Sequence, residues 1–263
     1  MEIVSPLVSQ AFQPEFLEQL LARDDVAAAL LSAREDIDAV LWRRDVRAAA
    51  AEVAAASAQR GAHASATIDG ADVVVAENSP MGRVLDSALR LTAAIPGQVD
   101  TWGRAPLQVI AHLHAITSAE FEAVHSLGRP RSDEQADDPL RIGPMPPVID
   151  LGPHLMAISS LVTRRTDLPA LLTAGLVHNE ILWLRPFAWG SGLVGRALIR
   201  CVLAERGLDP SLFTIPEHGL VESGRPAYVQ AIRSYGSGTV EGVAESLLWF
   251  ATACAMGAAA VTV

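Results

Sequence analysis

The sequence predicts an all-α fold, and three observations carry that expectation. Alanine is spread along the whole chain, β-branched runs are short, and apolar residues recur at helical spacing in most segments. At 263 residues the chain can bury roughly 70% of its unfolded surface, so a core needs neither disulfides nor a structural metal. Nothing in it reads as a linker. One compact unit is expected, with residues 1–60 as an N-terminal helical extension packed on a core of residues 61–263.

The elements follow in order. Residues 16–31 carry Leu17, Leu20, Leu21 and Ala28 near helical spacing. Residues 35–60 read as a longer helix with Ile37, Leu41, Val46 and Val53 on its apolar side, stopped by Arg60-Gly61. Residues 65–70 are short and punctuated, consistent with a small helix, and Val73-Val74-Val75 reads as a brief strand or as apolar packing. A helix starts after Ser79-Pro80 and ends near Ile95-Pro96-Gly97. Another runs from Pro106, at the first helical position, to about residue 127. Residues 128–147 lose the helical period, hold several prolines and alternating charges, and read as a long loop or an irregular hairpin. Loops of that length often carry function. Helices resume at about 150–164, 169–184, 192–206, 226–235, and from Val240 onward.

Charge and cysteine usage narrow the partners. Twenty basic against thirty acidic residues leave a net charge of −10, which argues against nucleic acid or anionic lipid. Cys201 and Cys254 form neither a disulfide framework nor a CxxC pair and read as small buried apolar residues in a reducing compartment. The N-terminus lacks the basic cluster and apolar run of a signal peptide. Residues 247–263 are uncharged but fall short of the roughly 20 residues that cross a bilayer, and read as a buried C-terminal helix. A cytoplasmic protein away from the membrane is expected.

The most informative stretch is Arg185-Pro186-Phe187-Ala188-Trp189-Gly190-Ser191-Gly192-Leu193-Val194-Gly195-Arg196, between two apolar helices. Gly190 and Gly192 expose backbone N–H groups where a helix begins, a geometry suited to a phosphate. Ser191 adds a hydrogen bond, and Arg196 and Arg185 add charge. A tight interhelical turn with no ligand fits the same residues. The stretch is neither a Walker A loop nor a Rossmann fingerprint.

Residues 185–196 resemble the signature of the Fic (Fido) family, HPFxxGNGRxxR, in which an acidic residue precedes the first glycine. Pro186, Phe187, Ala188, Gly190, Gly192 and Arg196 match. Leu113-His114 resembles the family's leucine-histidine helix, and Arg141-Ile142-Gly143 followed by Val148 resembles its flap, a hairpin lining the target groove. His178 precedes the signature at family-like spacing. Arg225-Pro226-Ala227-Tyr228-Val229-Gln230-Ala231-Ile232 resembles its RxxYxxAL segment. The resemblance spans about residues 60–255. It implies a Fic-type helical domain with a small β-hairpin flap at Ile142 and Gly143, preceded by additional N-terminal helices.

The departures remove chemistry. The resemblance implies a histidine at Arg185 that takes the proton from a target hydroxyl; a guanidinium cannot. It implies a Mg²⁺-holding acid at Trp189, and indole offers no oxygen ligand. It implies asparagine at Ser191 and a γ-phosphate-gripping arginine at Leu193. Ser65-Ala66-Thr67-Ile68-Asp69-Gly70 resembles the family's inhibitory SxxxEG motif, whose acid would pair with the first signature arginine; here Asp69 would face Leu193. Asp69 is then left to cap a helix or to meet Arg185 or Arg196, and Arg185 to bind an anion or pair with Asp69 or Glu180.

The remaining polar groups read plainly. His112 and His114 face different directions, as do His178 and Glu180, so no metal site is expected. Asp133-Glu134 and Asp137-Asp138 read as a solvated acidic face. The function expected is that of a catalytically degenerate Fic-like protein. It would lack AMP transfer and act through a residual phosphate or nucleotide pocket, for ATP or another nucleotide without Mg²⁺, or through a protein partner or homodimer. The alternatives are an enzyme with altered phosphate or nucleotidyl chemistry and a purely structural interaction protein.

Overall fold

The computed structural model describes residues 10–70, 79–164 and 167–263. The helices are α1 (Pro14–Leu21), α2 (Asp24–Leu41), α3 (Arg44–Ala48), α4 (Ala50–Ile68), α5 (Pro80–Ala94), α6 (Val99–Trp102) and α7 (Pro106–Ser118). They continue as α8 (Val148–Arg164), α9 (Ala170–Leu184), α10 (Ser191–Glu205), α11 (Pro216–Glu222), α12 (Arg225–Gly236) and α13 (Val240–Ala259). Short 3₁₀ turns occur at Gln10–Phe12 and Ile95–Gln98.

α9 is the axis of the molecule. Every residue from Leu171 to Leu182 is buried, as expected of a helix apolar on all sides and covered on all sides. α10 packs along it, and α8, α12 and α13 close the remaining faces. The N-terminal helices lie on this core: α2 packs on α13, and α4 packs on α5 and α11. α13 is long and apolar enough to cross a membrane by length and composition. Most of it is buried against α2, α9, α11 and α12.

Several helix boundaries differ from those read in the sequence, for local electrostatic reasons. The helix expected over 16–31 breaks after Leu21 because Asp24 and Asp25 open a new first turn, where carboxylates favour a helix N-terminus. The helix expected over 35–60 is divided again at 42–43 and at 49, with Asp45 in the first turn of α3. Arg60-Gly61 does not stop α4. Gly61 gives room to the bidentate pair of Arg200 on α10 and Glu217 on α11, whose Nε–Oε1 and Nη2–Oε2 distances are 2.7 and 2.9 Å. The helix from Pro106 ends at Ser118 rather than near 127. α6 and α11 fall in stretches where no helix was expected. Val73-Val74-Val75 lies outside the described residues.

The β-hairpin flap is overturned: among the described residues there is no strand, and Ile142 and Gly143 lie in irregular chain. Pro130, Pro139, Pro144, Pro146 and Pro147 supply no N–H to a ladder. Arg141 and Gly143 have φ of 59° and 104°, outside any extended strand. The Asp138 carboxylate, not a facing strand, takes the N–H groups of Ile142 and Gly143, at 2.9 Å each.

Candidate functional site

The glycine loop joins the two most buried helices. Arg185 ends α9 in the left-handed region, φ 43°, and Gly190 precedes α10 at φ 79°, where a side chain would be strained. Ser191 closes the turn on itself: its hydroxyl accepts from the Phe187 N–H at 3.1 Å. Leu193 and Phe187 point into the core. The loop is thereby clamped from below.

Its N–H groups face carboxylates of the protein. Trp189 N–H donates to Glu122 at 2.8 Å, and Gly190 N–H donates to Asp137 Oδ2 at 3.2 Å. Burial pushes the Asp137 carboxyl up to about 7, helped by Asp69 and Asp138 and opposed by the Gly190 N–H and Arg196. Burial also raises the carboxyl of Glu122.

The two arginines are held by different means. Arg196 is fully buried, donating from Nε to the Ser65 hydroxyl at 2.7 Å and pairing through Nη2 with Asp69 at 2.8 Å. Burial opposes its charge, but the Asp69 carboxylate and the nearby Tyr228 hydroxyl hold its proton more tightly than usual. Burial raises Asp69 in turn, with Arg196 pulling it back. The pair packs over Gly192, where an added Cβ would stand 3.1 Å from Arg196 Nη1 and 3.3 Å from Asp69 Oδ1. Arg185 pairs with Asp138 at 3.0 Å and donates to the Gly143 carbonyl at 2.6 Å. Burial lowers the Arg185 pKa. Glu180, its other anticipated partner, bonds His154 and Tyr235 instead.

Both histidines near the loop are buried and held neutral. Asn179 donates its amide to Ser246 at 2.9 Å, so its oxygen accepts from His178 Nδ1–H at 2.8 Å. His178 Nε2 therefore accepts from the Tyr228 hydroxyl at 2.7 Å, and both ring nitrogens are engaged. Burial lowers the His178 pKa to about 3. His114 stacks on Phe187 with centroids 3.7 Å apart and accepts from Gly128 N–H at 2.9 Å; burial lowers it to about 4. Trp189 stacks on Phe121 at 3.7 Å, with the Arg83 guanidinium over the other aromatic.

The structure brings together Ser65, Asp69, Arg196 and Gly192 as one group, and Arg185, Gly143 and Asp138 as another. Ser191 and Leu193 serve the packing beneath them, and Gly70 closes α4 at φ 97°. Sequence reasoning missed Glu122, Arg131, Asp137 and Asp138. Asp137 and Asp138 are not a solvated face; they turn inward onto the glycine loop, while Asp133 and Glu134 stay exposed. The available signal was an acidic pair in a proline-rich loop upstream of an arginine that needed a counter-charge.

Two N–H groups of the loop, those of Trp189 and Gly190, hold carboxylates, and the Trp189 indole, stacked on Phe121, offers a metal no oxygen. Among the described residues no three His, Cys, Asp or Glu side chains are grouped to hold a metal ion.

No family model matches the chain, and no curated protein matches it. Among solved structures its fold is similar to that of a Fic family protein from Desulfovibrio desulfuricans G20, with 15% sequence identity, a TM-score of 0.69, and 90% of this chain and 74% of that chain covered. At that identity the likeness is one of fold: the chain has an all-α architecture consistent with the Fic fold.

Proposed function

We propose that this chain is a Fic-fold protein without AMP-transfer activity that works through binding, its phosphate seat closed by its own carboxylates. One observation carries the reading: four donors of the loop and its flanking arginines are engaged by the chain's own carboxylates. Gly190 N–H holds Asp137, Trp189 N–H holds Glu122, Arg185 holds Asp138 and Arg196 holds Asp69. An incoming anion has to displace a carboxylate from the same donor.

The missing chemistry supports the same reading. A guanidinium stands where a base is needed, a stacked indole where a metal ligand is needed, and a core leucine where a phosphate clamp is needed. Both ring nitrogens of His178 are engaged, and His114 Nε2 lies 3.5 Å from the Glu122 carboxylate that holds the Trp189 N–H. On this reading the partner is another protein or a second copy of the chain, in the cytoplasm.

The test is incubation with ATP and Mg²⁺, followed by intact-mass measurement and a pyrophosphate-release assay. The expected result is no adenylyl mass gain and no pyrophosphate. Adenylylation would overturn the reading outright, and pyrophosphate release without it would favour altered nucleotidyl chemistry.

A further inference from the structure

We propose that residues 132–138 form an internal strap that lies across the glycine loop and lifts from it to admit an anion. The inference rests on the reading of that loop as a closed phosphate seat and names what closes it.

The strap is anchored at both ends, and between them Glu134 accepts from Arg131 Nη1 at 3.2 Å and from the Val148 N–H at 2.9 Å. At one end the buried Arg131 donates to the carbonyls of Arg185, Asp133 and Pro146 at 2.9, 2.8 and 2.6 Å, and its N–H bonds the Pro186 carbonyl at 2.8 Å. At the other end Leu140 and Ile142 are buried, and Arg233 of α12 holds the carbonyls of Ile142 and Arg141 at 2.8 and 3.0 Å. Arg225 of α12 bonds the Pro139 carbonyl. Three contacts join the span between these anchors to the loop and its flanking arginine. Asp137 N–H donates to the Ala188 carbonyl at 2.8 Å, Asp137 Oδ2 accepts from Gly190 N–H, and Asp138 pairs with Arg185.

Lifting the span breaks those three contacts and leaves the helices intact, the signature of a local opening. It uncovers the Gly190 N–H and frees Arg185 Nη1 together, while Nη2 keeps the Gly143 carbonyl and holds the cation in place beside the loop. Arg185 Nε, buried and without a hydrogen-bond partner, adds a donor to the same anion. Seating Asp137 also brings a carboxylate toward Asp69 and Asp138, so like-charge repulsion favours release. The ligand chemistry is that of a phosphate group, which replaces the carboxylate it resembles.

Hydrogen exchange read by mass spectrometry tests this on the full chain, with inorganic phosphate as the probe. In a D137N/D138N variant, peptides covering 132–138 and 186–192 should exchange at least about tenfold faster than in the wild type, with α10 beyond Arg196 unchanged. Millimolar phosphate should slow exchange over 186–192 in both proteins, and more strongly in the variant, where no carboxylate competes. Phosphate protection equal in both proteins, or absent from both, would overturn the strap, as would unchanged exchange over 132–138. If the double variant loses α10 protection, D137N alone carries the same comparison. Adenylylation by the wild type would sink the binding reading without touching the strap, so the two failures are distinguishable.

Discussion

Arg185 and Arg196 stand at the two ends of one glycine-rich stretch, both buried and both paired with an aspartate, yet they belong to different kinds of structure. Arg196 is held at a helix: by Ser65 on α4 and by Asp69 at its C-cap, with Tyr228 of α12 nearby. Ser65 cannot leave without moving that helix. Arg185 is held by irregular chain, the Asp138 carboxylate and the Gly143 carbonyl. The same residue type therefore locks the core at one end and holds a removable cover at the other. What separates them is the element that carries the partner, not burial or charge.

The largest expected effect tests the locked end. Arg196→Met leaves Asp69 as an unpaired buried carboxylate and should cost about 3–5 kcal/mol in urea unfolding. Adding Asp69→Leu should recover much of that loss. Equal destabilisation by the single and double variants would show that the pair does not act as a unit.

Next is a pH effect on the cover. Asp137 titrates at about 7 in the folded protein, above the roughly 3.9 of an unfolded aspartate. A carboxyl raised in this way contributes stability that is full below the unfolded value and is lost as pH rises through the folded value. Between pH of about 4 and about 7 the wild type should lose stability relative to D137N, on the order of 1 kcal/mol per pH unit. Burial drives this, helped by Asp69 and Asp138 and opposed by Gly190 N–H and Arg196. A flat difference across that window would contradict the burial of the Asp137 carboxyl.

Arg185→Ala should cost less, about 1–3 kcal/mol, and show mainly as faster exchange in 132–138 rather than as a loss of global cooperativity. A global loss matching that of Arg196→Met would erase the distinction between the two ends. Smallest is Trp189→Ala, which forfeits the stack on Phe121 and should cost about 0.5–1.5 kcal/mol beyond the area it exposes, read by thermal unfolding.

Much of the fold was legible because it rests on local pattern. The apolar run of α9, the glycine pair and the start of α10 are contiguous in sequence, and the structure keeps them contiguous in space. Asp69 near Arg196 could be named as one option because both lie in recognisable motifs. The strap could not be read. Its geometry depends on Asp137 reaching Gly190 and Asp138 reaching Arg185 across more than forty residues of chain, and no periodicity encodes such contacts. The expected hairpin failed for the same reason: the carboxylate of Asp138 satisfied backbone donors that a facing strand would otherwise have taken. The breaks between α1, α2 and α3 were written in Asp24, Asp25 and Asp45, but an alanine-rich background masked them.

Calorimetric titration of the wild-type protein with ATP, with and without Mg²⁺, tests the self-occupied phosphate seat most directly. The expected result is no saturable heat up to about millimolar nucleotide, indifferent to Mg²⁺ because Trp189 offers the metal no oxygen. Saturable binding in that range, strengthened by Mg²⁺, would contradict it, because the carboxylates of Asp137, Glu122 and Asp138 would then not be holding the loop closed.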